Sequence, residues 1–310
     1  MTIDLTDTST GAISQALTEA RRRLGGMAMG MVLTLIIVTD EAAQYDAIRA
    51  ANQAAREHPC RVLAVITRKP KSESRLDAEI RVGESSPGET IVLRMYGPLG
   101  QHADSVVAPL LVPDVPVVTW WPDEPPADPS AHPLGALAQR RVTDSAATED
   151  AREILLRLAK TYQPGDTDFG WTRATPWRSV IAATLDQEVP PLVGAEVAAE
   201  HGNPTADLIA AWLSVRLGIP VRRSDSAGPG ITAVVFGTEA GDLSLTRLDG
   251  RTATLSWPGR PDRGVALHRR ETAELLAEEL RRLDPDDVYA ETLQALGSVA
   301  APIPPWTADA

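Results

Sequence analysis

Short, almost wholly apolar runs separated by helix-like segments limit the fold of this chain more than any other feature. The run MAMGMVLTLIIV (27–38) precedes a segment with helical spacing (40–57), and a second run, CRVLAVI (60–66), follows it. Strands that are apolar on both faces are typical of parallel sheets covered by helices. The alternation continues through LDAEIRV, TIVLRMY and VPVVTWW, and it predicts an α/β layered domain with a largely parallel sheet.

The first apolar run has one alternative reading, because three arginines precede it as in an export signal. It is too short to span a bilayer, which takes about 20 residues. A polar segment also precedes the arginines, so we interpret the run as a buried strand. The net charge of −12 leads us to expect neither a membrane nor a nucleic acid as partner. Cys60, the single cysteine, excludes an intramolecular disulfide and favours a cytoplasmic location.

The second half of the chain has a different pattern. Helical segments come first, and between residues 231 and 268 short apolar runs are broken by Gly-Asp, Asp-Gly and Pro-Gly-Arg turns, which predict an antiparallel meander. We therefore predict two domains, an α/β domain at 12–146 and an α+β domain at 147–297. The remaining residues, 1–11 and 298–310, are predicted to be flexible termini.

The ends of the predicted parallel strands supply the first candidate binding surface. The turn GPLGQH follows the strand TIVLRMY, and WWPDEPP follows the next parallel strand. Parallel strands end at one edge of a sheet, and α/β proteins bind ligands there, so we expect one shared rim. The candidate partner or ligand residues at this rim are Arg94, Tyr96, Gly97, Gly100, His102, Trp120 and Trp121.

Two alternatives arise within this rim. Neighbouring strand residues point to opposite faces, so we predict that one of Trp120 and Trp121 packs in the core and the other contacts a partner. The glycine turn at Gly97 and Gly100 precedes a helix and could hold a phosphate, with Arg94 as a further ligand. A tight structural turn is the more common use of such glycines.

A second candidate surface is WTRATPWR (171–178). Tryptophan and arginine are over-represented at interface hot spots, which makes Trp171, Arg173 and Arg178 candidates. Trp177 shares helical spacing with core positions and is predicted to be buried. Pro176 is predicted as the first residue of a helix, with the preceding threonine as its N-cap.

Catalytic signatures are mostly absent from the sequence. It contains no phosphate-binding nucleotide loop, no G-x-S-x-G motif and no paired histidines, so we predict no catalytic residue, no cofactor and no metal site. His102 and Asp104 could form an acid/base pair, but helix capping is the more common role for such residues.

The segment RMYGPLGQHADSVVAPLLVPDVPVVTWWP (94–122), together with HPCRVL and WTRATPWR, resembles the OpcA family of glucose-6-phosphate dehydrogenase assembly proteins. The resemblance runs from about Ala12 to Leu296, and the arginine-rich, lysine-poor composition is similar to the actinobacterial branch. It implies a non-catalytic, allosteric effector whose partner is the dehydrogenase that feeds the oxidative pentose phosphate pathway. It assigns no catalytic residues. An intramolecular thiol switch is excluded here by the single cysteine.

Two other functions remain open at this point. The chain could be an enzyme acting on a phosphosugar at the Gly97–Gly100 turn, or a sensor that binds a sugar phosphate or another anion there.

Overall fold

Burial on both faces decides which segments become central strands. The structure is a computed structural model and describes residues 1–23, 30–67, 73–83 and 88–299. Its strands are β1 Thr2–Leu5, β2 Leu33–Thr39, β3 Cys60–Thr67, β4 Arg75–Val82, β5 Glu89–Tyr96, β6 Val117–Trp121, β7 Arg140–Thr143, β8 Asp166–Asp168, β9 Leu192–Ala199, β10 Val221–Asp225, β11 Ile231–Thr238, β12 Leu243–Thr246, β13 Thr252–Trp257 and β14 Arg260–Ala266. Its α-helices are α1 Thr10–Arg23, α2 Gln44–Ala54, α3 Ala103–Val107, α4 Ala151–Thr161, α5 Phe169–Leu185, α6 Pro204–Leu217, α7 Thr272–Arg281 and α8 Asp287–Ala295.

The first sheet has eight strands in the order β1-β4-β5-β3-β2-β6-β7-β8. The pairs β2–β3, β3–β5, β2–β6 and β6–β7 are parallel, and β4 pairs antiparallel with β1 and β5. In β2 the first five residues are all buried, as expected for a strand covered on both faces. The largely parallel sheet predicted from the sequence is therefore confirmed.

The order of the parallel strands places a topological switch point at their carboxyl ends. In chain order the parallel strands are β2, β3, β5, β6 and β7, and in space they run β5-β3-β2-β6-β7. This is the 3-2-1-4-5 order of doubly wound dinucleotide-binding domains. The order reverses between β2 and β6, so the switch point lies where Thr39 and Trp121 end these two strands.

The prediction of a flexible segment at residues 1–11 is wrong. Strand β1 pairs antiparallel with β4, and the amino group of Met1 donates a hydrogen bond of 2.9 Å to the Val82 carbonyl. The strand covers backbone groups of β4 that would otherwise form an exposed sheet edge. Helix α1 then begins at Thr10.

The second sheet has six strands in the order β10-β9-β11-β12-β13-β14. Strands β11 to β14 form the predicted antiparallel meander, and β9 and β10 are parallel to each other. The sequence did not predict β10, because VRRSD carries no apolar run. Its Arg223 is nevertheless fully buried and paired with Asp207 of α6, at 3.1 Å.

The chain divides into two compact units. Unit 1 contains residues 1–144, 163–167 and 271–285, and unit 2 contains residues 145–162, 168–270 and the described residues from 286 onward. The predicted boundary at 146/147 is close to the first division, but the two later segments of unit 1 were not predicted.

The predicted flexible C-terminal segment is only partly described. Residues 300–310 lie outside the described residues, and so do Met27–Met29 of the first apolar run. Ser298 ends a 3-10 turn, and Val299 is buried. Within the described ranges, the structure contains no helix that is both long and apolar enough to cross a membrane.

Candidate functional site

Both tryptophans at the end of β6 are buried, with exposed fractions of 1% for Trp120 and 3% for Trp121. The prediction that one of them contacts a partner is therefore wrong. The segment that follows β6 folds back over the strand, and the Thr119 hydroxyl donates to the Leu134 carbonyl at 2.9 Å. The His132 ring meets the Trp121 ring edge-on at a centroid distance of 5.4 Å. A central strand buries alternate residues on both faces, so each ring enters a different core layer.

Close backbone approach explains how the loop after β6 can cover Trp121. At Gly135 an added Cβ would lie 1.8 Å from the Pro129 carbonyl oxygen and 3.1 Å from Cη2 of Trp121. Only glycine fits there. Burial lowers the pKa of His132 and so favours the neutral imidazole against the ring.

The turn that follows β5 lies at the same edge of the sheet as the tryptophans, as predicted. Tyr96 ends β5, and the residues 97–102 form a 3-10 turn that leaves His102 exposed. Strands β3 and β2 lie between β5 and β6, so roughly 14 Å separates the two strand ends. The rim residues therefore share one edge but do not form one cluster.

Arg94 is already held by protein groups. Its guanidinium forms ion pairs with Glu41 at 3.7 Å and Glu79 at 3.6 Å, and it donates to the Gln44 side-chain oxygen at 3.1 Å. These partners compensate its charge, so they do not favour Arg94 as a ligand for a phosphate at the Gly97–Gly100 turn.

Carboxylates surround the switch point between β2 and β6. Burial raises the pKa of Asp123, and so do the neighbouring charges of Asp40 and Asp144, while a hydrogen bond of 2.8 Å from the Thr39 hydroxyl lowers it. The turn after β2 reads DEAA, where a dinucleotide-binding domain has its glycine-rich phosphate loop. An anionic pyrophosphate would be repelled at this point.

Tyr45 is an exposed aromatic residue that was not singled out from the sequence. Helix α2 follows β2, so its first turn begins at the carboxyl edge, and 65% of Tyr45 is exposed there. Its position on the outer face of α2 is readable from the helical pattern, since Ala47, Ile48 and Ala51 are the buried residues.

Cys60 lies at the opposite, amino end of the parallel strands. It is fully buried, and burial raises the pKa of its thiol to about 12. The thiol is therefore protonated at neutral pH and is a poor nucleophile.

In unit 2, α5 begins seven residues earlier than predicted. Asp168 is its N-cap, and the buried carboxylate accepts hydrogen bonds from the Gly170 amide at 2.7 Å and from Ser145. Thr175 is therefore not an N-cap, and Pro176 lies inside the helix.

An arginine replaces the hydrogen bond that Pro176 cannot make. Proline has no amide hydrogen, so Pro176 cannot donate the usual helical hydrogen bond to the Thr172 carbonyl one turn earlier. The Arg270 guanidinium donates to this carbonyl. An interior proline is thereby accommodated in a buried helix, which local sequence rules do not anticipate.

The tryptophans of α5 are structural. Trp171 and Trp177 are both buried, and the Trp171 indole donates to Asp286 at 2.8 Å. The Arg178 guanidinium stacks on the Trp171 ring at 3.6 Å and also donates to the Thr175 hydroxyl. Burial of Trp177 confirms its predicted core position. Arg173, in contrast, is only half-buried.

Arg173 lines a basic pocket of unit 2 with about 540 Å³ of open space, including the solvent at its mouth. Four arginines and a histidine contribute to its wall, and none of the described wall residues is acidic. The sequence pointed to Arg173 alone, although the run His268-Arg269-Arg270 was a readable signal. The wall residues are Arg173, Pro176, Trp177, Asn203, Thr205, Gly230, Ile231, Arg247, Leu267, His268, Arg269 and Arg270.

Two family models match this chain in succession. The model of the N-terminal domain of the glucose-6-phosphate dehydrogenase subunit matches residues 51–160. The model of the C-terminal domain of the same dehydrogenase subunit matches residues 164–293. Together they span most of the chain. Among curated proteins, none matches significantly.

Several solved oxidoreductases are distantly similar. KijD10, a 3-ketoreductase from Actinomadura kijaniata in complex with NADP and TDP-benzene, is 12% identical at a TM-score of 0.48, covering 86% of this chain and 96% of its own. An NAD-binding oxidoreductase from Klebsiella pneumoniae is 8% identical at a TM-score of 0.40, with the same coverage. An oxidoreductase from Sinorhizobium meliloti is 12% identical at 0.36, covering 86% of this chain and 87% of its own. Likenesses at these TM-scores carry no functional argument.

Proposed function

The chain belongs to the OpcA family of glucose-6-phosphate dehydrogenase assembly proteins, and from this premise we propose that it is a non-catalytic subunit that binds the dehydrogenase and activates it. The match of both family domains, in chain order and over most of the sequence, carries the proposal. We further propose that it acts in the cytoplasm, as an allosteric effector of the step that feeds the oxidative pentose phosphate pathway.

The carboxylates of the first sheet support an accessory role over a catalytic one. Unit 1 has the strand order of a dinucleotide-binding domain, but Asp40, Asp123 and Asp144 surround the point at which a pyrophosphate would bind. A dehydrogenase needs its nicotinamide cofactor held there. Repulsion of the cofactor phosphates is consistent with a protein that acts through its partner.

We propose the carboxyl edge of the first sheet as the surface that contacts the dehydrogenase. Burial of Trp120 and Trp121 leaves Tyr45, with 65% exposure, as the exposed aromatic residue of this edge in the described part of the chain. The exposed His102 follows β5 at the same edge. Tyrosine is enriched at the centres of protein interfaces because its ring is apolar and its hydroxyl is polar.

The test combines this protein with the glucose-6-phosphate dehydrogenase of the same organism. We expect a complex of larger mass than either protein in size-exclusion chromatography with light scattering, and a higher dehydrogenase rate. This protein alone should not oxidise glucose 6-phosphate. The Tyr45→Ala variant should weaken binding by about tenfold or more, a hot-spot effect, with an unchanged melting temperature.

Arg56→Ala is the matched control, because Arg56 is exposed just before the amino end of β3, at the opposite edge of the sheet. It should bind like the wild type. Absence of any complex would refute the assembly role. Equal binding by wild type and Tyr45→Ala would refute only the proposed surface.

A further inference from the structure

The basic pocket of unit 2 stands out because the chain as a whole is acidic, with a net charge of −12. Its wall brings together the middle of α5, the start of α6, the start of β11, Arg247 after β12 and the segment after β14. Such a local concentration of positive charge in a concave site focuses the field on an anion.

Arg247 is the most deeply buried of these charges, and its hydrogen bonds are incomplete. It is only 5% exposed, and its Nη1 and Nη2 donate to the carbonyls of Leu267 at 2.9 Å and Ile231 at 3.3 Å. Its Nε is shielded from solvent and has no hydrogen-bond partner among the described residues. No described carboxylate forms an ion pair with it. A buried charge without a counter-ion is strongly destabilising, and a bound anion would compensate it.

The surroundings of Arg247 disfavour its charge on balance. Burial and the positive charge of Arg269 lower its pKa, and the charge of Asp249 opposes them in part. The Arg247 guanidinium also lies 4.9 Å from the centre of the Trp177 ring. At Gly230 an added Cβ would lie 3.3 Å from Nη2 of Arg247, and the positive φ of 65° there also suits glycine. The backbone thus leaves room for the guanidinium.

The amino end of α6 contributes a dipole to the same wall. Asn203 caps this 14-residue helix by accepting from the Ala206 amide at 3.0 Å, and both Asn203 and Thr205 line the pocket. A helix N-terminus carries a partial positive charge that favours phosphate. It adds to the arginines rather than forming a site by itself.

We propose that this pocket binds a small molecule that carries a phosphate group. Arg173, Arg269 and Arg247 supply the positive charge, and the first turn of α6 supplies the helix dipole. The ionised arginine fork matches phosphate oxygens in geometry and charge. The site is separate from the Gly97–Gly100 turn, and binding requires no dehydrogenase.

Isothermal titration calorimetry of the full chain alone tests the proposal. The probes are inorganic phosphate, glucose 6-phosphate and a nucleoside 5′-monophosphate, with glucose as the uncharged control. We expect saturable binding of at least one phosphate-bearing probe and none of glucose. Preference among the three identifies the source of the phosphate group.

Two variants and one control locate the binding. Arg173→Gln and Arg269→Gln should each weaken binding by about tenfold or more, the loss of one charge-assisted hydrogen bond. Arg269 is exposed and Arg173 half-buried, so both variants should fold, as checked by thermal unfolding. Arg263→Gln, an exposed arginine of β14 outside the wall, should bind within about twofold of the wild type.

Two outcomes would overturn the inference. The first is no saturable binding of any phosphate-bearing probe. The second is binding that survives unchanged in Arg173→Gln and Arg269→Gln or falls equally in Arg263→Gln. Neither outcome would argue against the proposed association with the dehydrogenase, because that association is tested in a separate experiment.

Discussion

At the scale of the residue, the indoles of Trp120 and Trp121 show how two neighbours in one strand can both be buried. Period-2 alternation places them on opposite faces of the sheet. We expected one face of the sheet to be exposed at the end of this strand. The loop that covers Trp121 contains no apolar run, so its packing on the ring could not be recognised from the sequence. Coverage depends instead on the close approach at Gly135, which is visible only in three dimensions.

Truncation of either ring should therefore destabilise the fold. We expect Trp120→Ala and Trp121→Ala each to lower the free energy of unfolding by about 3–5 kcal/mol, the usual effect of removing a large buried aromatic side chain. Urea denaturation followed by circular dichroism measures it. Tyr45→Ala, which removes an exposed ring, is the control and should change stability little. A variant of either tryptophan with wild-type stability would contradict the assigned burial.

At the scale of the element, α5 shows a local rule overridden by a distant side chain. Proline in a helix interior normally breaks the helix, since it removes a hydrogen bond and crowds the preceding turn. Here Arg270, nearly a hundred residues later, donates to the carbonyl that Pro176 leaves without its amide partner.

This compensation predicts coupling between the two residues. Arg270→Gln should lower the free energy of unfolding by about 1–3 kcal/mol, because the buried Thr172 carbonyl loses its donor. In a Pro176→Ala background the alanine amide can bond to Thr172, so the same change should have a smaller effect. A double-mutant cycle by chemical denaturation measures the difference. Equal effects in both backgrounds would show that the arginine acts in some other way.

The elements that the sequence predicted are those with a strong internal pattern. The apolar runs of β2 and β3, the meander β11 to β14 and the capped helix α6 follow from periodicity and turn residues. The family resemblance carried by residues 94–122 is confirmed by the two family models. Strands β1 and β10 are short or polar and form because a partner strand is available. The basic pocket joins residues from five separate segments, so only Arg173 was singled out beforehand.

At the scale of the whole molecule, several buried carboxylates are paired with specific arginines. Glu89 of β5 accepts from Arg61 of β3 at 3.0 Å and from Arg21 of α1 at 2.8 Å. Burial alone would raise the pKa of Glu89, but the hydrogen bonds and charges of these two arginines hold it below its usual value. Three elements of unit 1 are joined by this one carboxylate.

The lowered pKa fixes the direction of the pH dependence. A carboxylate with a depressed pKa stabilises the fold above its unfolded pKa, near 4.5, and this stabilisation is lost as the pH falls through the folded value. Glu89→Gln should lower the free energy of unfolding at pH 7 by about 3–5 kcal/mol, as when a buried pair is broken. The difference in free energy of unfolding between wild type and variant should become smaller when denaturation is repeated below pH ~4.5.

Glu19→Gln is the matched control. Hydrogen bonds from Arg22 and Arg23 lower the pKa of Glu19 to about 2, but these groups are exposed on α1 and solvent screens them. Its effect should be much smaller than that of Glu89→Gln. If the loss in free energy of unfolding had the same size and pH dependence in both variants, burial of the Glu89 ion pairs would not explain their contribution to stability.

The interleaving of the two units along the chain sets the order in which a ribosome can complete them. Arg140 of β7 is buried, and its guanidinium pairs with Glu279 of α7 at 2.6 Å, a residue synthesised 139 positions later. Until α7 emerges, this arginine has no counter-ion and α2 lacks the helix that packs on it. Unit 1 can therefore be completed only once residues 271–285 have been translated, after all of unit 2 except its final segment. A fragment that ends with the first family domain, at residue 160, would lack Glu279 and so leave Arg140 without this counter-ion.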